Sequence, residues 1–330
     1  MYNNSYGPVG TLEYIRRVCG IDVCKRRFQK IVQKQGENAA KLLNAADLRF
    51  PTLFALKPEI EKAELTPKLN GKIRTALQIC DKVLEENKTL PGCGIPYSDE
   101  TVHSAFLWIF LTGAKDDGMS NDYDEVLDLS ASVLTRRYRD KSILPVLAEL
   151  IFRRNRKKGY LHDLIWAFFQ AHDPGSLKLI APYLRSSNAR DRELARLLLN
   201  LPDVGKDAQS RENQYRNFMR WLRENNAYLY FTGESLQSSN QPQICSLDLG
   251  ARYLCKQISP RKHKPVTPLS KQEEEALSCF AQAQDNDKAI LSDYSRKLHT
   301  RNPHYWKRWM RLPVSEQLRI AKSGTRGRLI

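Results

Sequence analysis

Apolar side chains recur every three or four residues through much of the chain. Near its start, Ile21, Cys24 and Phe28 follow this spacing. Because an α-helix completes a turn in about 3.6 residues, residues spaced in this way lie on one helical face. Residues 99–112 are apolar on nearly every side, which is typical of a helix in the middle of a core. The pattern predicts a mostly α fold, with an antiparallel helical array over residues 1–226.

Short motifs predict where individual elements begin and end. Helix starts are indicated where a hydroxyl or a carboxylate can accept an orphan backbone N–H. These motifs are Thr66–Pro67, Asp122 with Glu125, and Ser270 with Glu273. The last of them predicts a helix that ends near Gln284. The aromatic run Tyr228 to Phe231 predicts a short strand ended by Gly233. A final helix is predicted to begin near Pro313 and to stop at Gly324.

Two segments in the middle of the chain match each other. Residues 142–150 and 176–184 carry apolar side chains at equivalent positions after a shift of 34 residues. Such a shift indicates a repeated pair of helices. Residues 176–200, which include SLKLIAPYL and NARDRELARLLL, resemble one unit of the HEAT-type helical repeats, with Asp191 where that family usually has an aliphatic residue. The resemblance implies stacked antiparallel helices with a binding surface and no catalytic residues.

Two changes in composition divide the chain. Residues 89–98 contain two prolines and two glycines, and polar or proline-containing loop sequences become frequent after residue 226. We therefore predict a helical region at 1–90, a helical array with the 34-residue repeat at 91–226, and a mixed region at 227–330. That last region is predicted to be rich in loops, to contain the short strand and to end in a basic aromatic helix.

Composition excludes several classes of protein. The longest apolar run, Ala105 to Leu111, has seven residues, whereas a membrane-spanning helix needs about 20. The first residues lack the basic and apolar parts of a secretory signal, and the seven cysteines are an odd number in a large chain. We therefore expect a cytoplasmic protein with reduced thiols and no transmembrane segment.

Positive charge is the strongest chemical signal. The 330 residues include 53 Lys and Arg against 37 Asp and Glu, a net charge of +16. Residues 1–90 carry 16 basic and 10 acidic side chains, residues 91–205 carry 15 of each, and residues 206–330 carry 22 and 12. Residues 296–330 hold ten basic side chains and one acid, Glu316. More than half of the excess charge therefore lies in the last 35 residues.

The basic C-terminal segment interleaves cations with aromatic rings. Cations meet phosphates and aromatic faces stack on bases, so this combination favours nucleic acid or another acidic partner. The predicted contact residues are Arg296, Lys297, Arg301, Tyr305, Trp306, Lys307, Arg308, Trp309 and Arg311. In the alternative interpretation, Trp306 and Trp309 dock into the core and the cations only solvate the outer face. If the helices stack as a solenoid, a secondary basic edge is predicted at Arg136, Arg137, Arg139, Arg153, Arg154 and Arg156. The simpler interpretation of the last three is a set of cations at a helix C-terminus, where the helix dipole favours them.

Motifs for catalysis are weak. The dipeptides His162-Asp163 and His172-Asp173, with His103 upstream, resemble the metal-binding order of HD-type phosphohydrolases. A simpler explanation is that Asp173, which precedes Pro174, starts a helix. No zinc spacing, phosphate-binding loop or dinucleotide fingerprint occurs, and the acidic residues at 116–124 lack the EF-hand order. We predict no catalytic residues, no metal and no cofactor.

These patterns rank three hypotheses for function. The first is a non-enzymatic binding or scaffold protein of the cell interior that uses its helical surface for a protein partner. The alternative is a DNA- or RNA-binding protein that uses the basic C-terminal segment. A helical, metal-dependent phosphohydrolase is the third and the least favoured.

Overall fold

The structure is a computed structural model that describes residues 10–84, 98–203 and 207–326. The chain divides into two compact units, Met1–Ala171 (unit 1) and His172–Ile330 (unit 2). Helices form most of the described residues, and strands occur there only as two short antiparallel pairs. The predicted mostly α fold is confirmed. None of the described helices combines the length and the apolar character needed to cross a bilayer.

Unit 1 is helical throughout its described parts. Its helices are α1 (Leu12–Cys19), α2 (Ile21–Lys34), α3 (Gly36–Leu43), α4 (Phe50–Lys62), α5 (Gly71–Leu84), α6 (Asp99–Gly113), α7 (Asn121–Arg136), α8 (Leu144–Lys157) and α9 (His162–Gln170). Short 3-10 turns at Thr66–Lys68, Ala114–Asp116 and Lys141–Ile143 connect some of them.

Helix α6 lies at the centre of unit 1, as its sequence predicted. It packs against α4, α5 and α7, and Phe106, Ile109 and Phe110 are fully buried. Tyr123 on α7 stacks on Phe50 with the ring centroids 5.2 Å apart. The apolar interior of unit 1 is therefore continuous from α6 and α7 to α4.

Two predicted helix starts in unit 1 are wrong by a few residues. Thr66 begins a 3-10 turn, and α5 begins later, where Asn70 Oδ1 accepts the backbone N–H of Ile73 at 3.0 Å. Helix α7 is capped by Ser120, whose Oγ accepts the backbone N–H of Tyr123 at 3.2 Å, rather than by Asp122. In both places a different side chain near the predicted cap satisfies the orphan N–H.

Unit 2 contains helices of four to eighteen residues and all the described strands. Its elements are α10 (Leu177–Ile180), α11 (Ala189–Leu198), α12 (Ala208–Asn225), β1 (Leu229–Phe231), β2 (Cys245–Leu247), α13 (Leu249–Tyr253), β3 (Ile258–Ser259), β4 (Lys264–Pro265), α14 (Lys271–Ala281), α15 (Asp285–Arg301), α16 (Pro303–Trp309) and α17 (Val314–Arg326). Further 3-10 turns lie at Pro174–Ser176, Ala181–Arg185 and Asn226–Tyr228. β1 pairs with β2, and β3 pairs with β4.

The boundaries in unit 2 follow the sequence with two differences. The predicted strand is β1, and the Ser270–Glu273 capping box is present at the start of α14. Within the region predicted to be rich in loops, the segment after Ile258 instead forms the β3–β4 hairpin. The last helix continues past Gly324, because one glycine in a helix costs only about 1 kcal/mol.

A cluster of aromatic rings forms a core in unit 2. Tyr253, Phe280, Tyr294 and Trp309 are buried together with Leu291 and Ala321. The rings of Tyr253 and Phe280 stack with centroids 4.4 Å apart. The C-terminal helices are therefore part of the folded core of this unit.

The predicted boundary at residues 89–98 lies almost wholly outside the described residues. The division between the two units falls after Ala171, inside the segment 91–226 that the sequence treats as one array. The matched segments 142–150 and 176–184 each begin at a 3-10 turn that leads into an α-helix, α8 or α10. The 34-residue repeat and the HEAT-like resemblance stay predictions.

Candidate nucleic-acid interface

The basic C-terminal segment folds into α16 and the turns on either side of it. α16 follows α15 after a single residue, Asn302, whose Oδ1 accepts the backbone N–H of Tyr305 at 3.0 Å. Pro303 occupies the first helical position, where its missing N–H would have no partner in any case. The local sequence therefore starts a new helix at this point, and the 3.6-residue period divides it into two opposite faces.

The inward face of α16 belongs to the aromatic core. The side chain of Trp309 is only 1% exposed, and its ring centroid lies 5.4 Å from that of Tyr294. Trp306 is half-buried, and its Nε1 donates a hydrogen bond to Ser295 Oγ at 2.7 Å. The predicted stacking of Trp309 on a base is wrong, because its ring has no exposed face. The alternative interpretation, that the two tryptophans dock into the core, describes their packing.

The outward side of α16 is cationic. Lys307 and Arg308 are exposed on α16, about 100° apart around the helix axis, and Arg311 is exposed in the turn that follows the helix. Arg301, at the end of α15, is exposed as well, and Tyr305 is 44% exposed. Within the described part of the chain, none of these four cations forms an ion pair. We call Arg301, Tyr305, Lys307, Arg308 and Arg311 the α16 face.

Two other predicted contact residues are already neutralised. Arg296 forms an ion pair with Glu224 at 2.8 Å, which joins α15 to α12. Lys297 forms one with Asp293 at 2.5 Å. Arg296 therefore connects two helices and Lys297 is paired within α15, so only part of the predicted basic segment remains open to an acidic partner.

Carboxylates border one side of the α16 face. Lys307 and Arg311 line a pocket of about 520 Å³ whose other wall includes Glu273 and Glu275 of α14. Glu273 forms an ion pair with Lys256 at 3.0 Å. Burial would raise the pKa of Glu273, but hydrogen bonds from Ser270 and Lys256 and the charge of Lys256 hold it below its ordinary value. Arg301 and Arg308 do not line this pocket. The purely cationic part of the face is therefore the part away from α14.

The secondary basic edge is mostly engaged in intramolecular contacts. The guanidinium of Arg136 lies 4.7 Å from the ring centroid of Trp166, and Arg137 pairs with Asp99 at 2.6 Å. Arg153 donates to the backbone oxygen of Ala114. Arg156 also has an intramolecular partner, whereas Arg139 is exposed.

Arg154 is not on the surface, and its predicted place in that edge is wrong. The residue is 4% exposed and pairs with Asp117 at 2.7 Å and with Asp128 at 2.8 Å. Burial raises the pKa of Asp128 to about 7, although Arg154 acts in the opposite direction. Burial would lower the pKa of Arg154, but the two carboxylates raise it above its ordinary value. The group is a buried ionic cluster that holds α8 against α7.

The histidine–aspartate pairs do not assemble a metal site. Among the described residues, no group of three His, Cys, Asp or Glu side chains has the arrangement to hold a metal ion. His103 Nε2 lies 2.9 Å from Asp140 Oδ2. Asp173 accepts the backbone N–H of Gly175 at 3.2 Å at the start of a 3-10 turn, in keeping with the simpler explanation of that dipeptide.

Sequence reasoning missed a second row of exposed cations, on α2. Arg26, Arg27, Lys30 and Lys34 are exposed there, and Asp22 is the single acidic residue of that helix. No described carboxylate forms an ion pair with any of these four cations. We call them the α2 row. These basic residues recur at helical spacing in the sequence. The row was missed because the net charge summed over residues 1–90 is only mildly positive.

A groove on α12 was also missed. Asn213, Asn217 and Trp221 line it, and they are spaced four residues apart along one side of the helix. This regular spacing is visible in the sequence. The groove could not be recognised from this spacing, because other lining residues come from strand β2, which begins 24 residues after Trp221.

Comparison with known proteins yields no relative. No family model, no curated protein and no solved structure matches this chain.

Proposed function

We propose that this chain binds nucleic acid and that the α16 face contacts the phosphate backbone. The observation that carries the proposal is the set of four exposed cations, Arg301, Lys307, Arg308 and Arg311, which have no carboxylate partner in the described structure. Lys and Arg side chains that neutralise phosphates supply most of the affinity of sequence-independent binding. The exposed ring of Tyr305 adds a surface on which an unpaired base can stack.

The anchoring of α16 supports this proposal. Trp306 and Trp309 hold the helix on the aromatic core, so the backbone that carries the cations is ordered before any partner arrives. Binding then costs side-chain entropy but little backbone entropy. A phosphate chain would meet a preformed row of cations.

The protein-scaffold hypothesis, which the sequence ranks first, stays a prediction. A protein with an acidic surface would also be attracted to the α16 face. We favour nucleic acid because unpaired cations beside an exposed aromatic ring match both chemical parts of a nucleotide, the phosphate and the base.

Salt dependence of binding tests the proposal. In a variant with Arg301, Lys307, Arg308 and Arg311 all replaced by Gln, we expect weaker binding to duplex DNA. The slope of log K against log salt should flatten by about three to four, because each lost phosphate contact contributes about 0.9. Fluorescence anisotropy of a labelled duplex over a range of salt concentrations measures both effects.

A matched control separates the α16 face from net charge. The control replaces Arg137, Lys297, Arg319 and Lys322 by Gln, because each of these exposed cations already has a carboxylate partner. It removes the same four charges and should leave most of the salt slope in place. Equal losses in the two variants, or no binding of the wild-type chain to DNA or RNA, would contradict the proposal. A larger loss on replacing the α2 row would move the site to unit 1.

Deleting residues 296–330 is a poor test, although the charge distribution suggests it. The deletion would remove Trp309 and Ala321 from the core of unit 2. Lost binding would then report unfolding as well as lost cations, so point substitutions on the exposed face are needed.

A further inference from the structure

A groove of about 670 Å³ runs along α12 in unit 2. One wall is formed by Asn213, Asn217 and Trp221 of α12, and the opposite wall includes Leu247 of β2. The inner surface is apolar where Leu199 and Phe218 line it. The volume lies within the range of about 300–1,000 Å³ that is usual for small-ligand sites.

The polar groups of the groove are neutral. As the described residues form it, the lining contains no Asp, Glu, Lys, Arg or His side chain. Asn217 is exposed, and its amide has no intramolecular partner among the described residues. Asn213 Oδ1 accepts a hydrogen bond from Gln209 Nε2 at 3.0 Å, which leaves the amide N–H groups of Asn213 for a ligand. The site therefore offers donors and acceptors but no countercharge for an ionic group.

Trp221 supplies an oriented aromatic surface at the groove. Its side chain is 38% exposed, and its ring lies 5.8 Å from that of Phe218, tilted by 31°. The contact with Phe218 holds the indole in place while part of the ring stays open. A flat ligand with an apolar face and a polar edge fits this combination of a tryptophan and amides.

A cation lies in line with the amides. Arg220 is exposed and lies two helical turns after Asn213 on the same side of α12. It forms no ion pair within the described residues. A sugar or a neutral peptide has no anionic group to pair with Arg220, whereas a nucleotide carries a phosphate next to its base. The charge complementarity thus favours a nucleotide over other flat polar ligands.

We propose that the α12 groove binds one unpaired nucleobase of a single-stranded nucleic acid, with Arg220 on an adjacent phosphate. This inference rests on the proposed function and gives it a preference for single strands. Bases in a duplex are stacked and paired, so their faces cannot enter a groove of this kind. The base would stack on Trp221 and direct its edge to Asn213 and Asn217.

The decisive experiment compares two labelled twelve-nucleotide strands with equal numbers of phosphates, oligo(dT) and an abasic strand. The wild-type chain should bind oligo(dT) roughly tenfold more tightly or better, because stacking of a base on an aromatic ring contributes about that much. Trp221→Leu should abolish most of this difference by weakening oligo(dT) alone. Trp221→Phe, which retains an aromatic face, should preserve most of it.

Tyr160→Ala is the matched control variant. Tyr160 is an aromatic residue, 59% exposed, that belongs to unit 1 and does not line the α12 groove. Its replacement should leave the preference for oligo(dT) unchanged. A second variant, Asn217→Ala, tests the amide contact at an exposed position and should reduce the preference in part.

Three results would overturn the assignment. The first is equal binding of the two strands by the wild-type chain, and the second is an unchanged preference in Trp221→Leu. The third is saturation of the groove by a free mononucleotide, for example thymidine monophosphate, as tightly as by the strand, which would make the ligand a free nucleotide. Failure of the proposed function gives a different result. In that case, replacing the four cations of the α16 face by Gln would leave the salt slope of strand binding unchanged.

Discussion

At the scale of single residues, the same side-chain type has opposite roles in the two units. Arg154 is buried between Asp117 and Asp128, whereas Arg308 is exposed and unpaired within the described structure. Taking a charge out of water is costly unless a partner compensates it, so the buried arginine requires its carboxylates. Arg308 is well hydrated and can exchange water for a phosphate. Its position on the surface makes it suitable for binding.

The buried ionic cluster makes stability depend on pH. Burial raises the pKa of Asp128 to about 7, whereas an aspartate in an unfolded chain titrates near 4. The folded state therefore retains a proton that the unfolded state releases. This preference stabilises the fold fully below about pH 4 and is lost as the pH rises through about 7.

Asp128→Asn should remove that part of the pH dependence. The unfolding free energy of Asp128→Asn minus that of the wild type should increase as the pH rises from about 4 to 7. The wild type loses this part of its stability over that range, whereas Asn does not titrate. Urea denaturation at several pH values measures this difference. Asp22→Asn, at an exposed position of α2, controls for the loss of one charge. A difference that stays constant over this pH range would contradict the explanation.

At the scale of elements, helix contacts depend on small residues at points of close approach. Gly113 is the last residue of α6, and its carbonyl accepts the hydroxyl of Tyr123 at 2.8 Å. A Cβ at this position would lie 2.8 Å from Tyr123 Oη and 2.9 Å from the side chains of Phe50 and Leu127. Three side chains would have to shift to admit a Cβ, so the close approach of α6 and α7 favours a glycine at this position.

Gly113→Ala should therefore destabilise unit 1. We expect a loss of about 1–3 kcal/mol, the usual cost of inserting a methyl group into a packed core. Gly71→Ala is the control, because a Cβ at this first residue of α5 meets nothing within 4 Å. It should change stability by less than about 1 kcal/mol, in the stabilising direction. Denaturant midpoints of the two variants provide the comparison, and equal midpoints would show that the close approach relaxes at no cost.

At the scale of the whole molecule, most of the net positive charge lies in unit 2. Unit 2 holds 27 basic and 16 acidic residues, and unit 1 holds 26 and 21. Within unit 2, the last 35 residues supply the largest excess of charge and also Trp309 and Ala321 of the core. One segment therefore combines a structural role with the proposed binding role.

Removal of residues 296–330 should unfold unit 2 and spare unit 1. The deletion exposes the remaining aromatic rings of the unit 2 core, whereas the buried rings of α6 and α7 lie wholly in unit 1. Limited proteolysis with mass spectrometry should show protected peptides from residues 10–84 and 98–171, and rapid cleavage from residue 172 onward. Rapid cleavage throughout the chain would contradict this prediction.

Much of the local structure could be predicted from the sequence. The mostly α fold, the central position of α6, the capping box at Ser270 and strand β1 follow from periodicity and from hydrogen bonding within a few residues. The caps of α5 and α7 could not be placed, because several side chains there compete for the same N–H groups. Choosing among them depends on the surrounding packing.

The sequence by itself determined which residue types are present and at what helical spacing, including the cations of the α16 face. Only the tertiary structure decided which of them reach solvent. Trp309 became part of a core, Arg154 became a buried ion pair, and Arg296 was neutralised by Glu224, 72 residues away. The physical reason is that burial and ion pairing depend on contacts between residues far apart in the chain, which no local pattern encodes. The α12 groove exists for the same reason, since its two walls meet only in the folded chain.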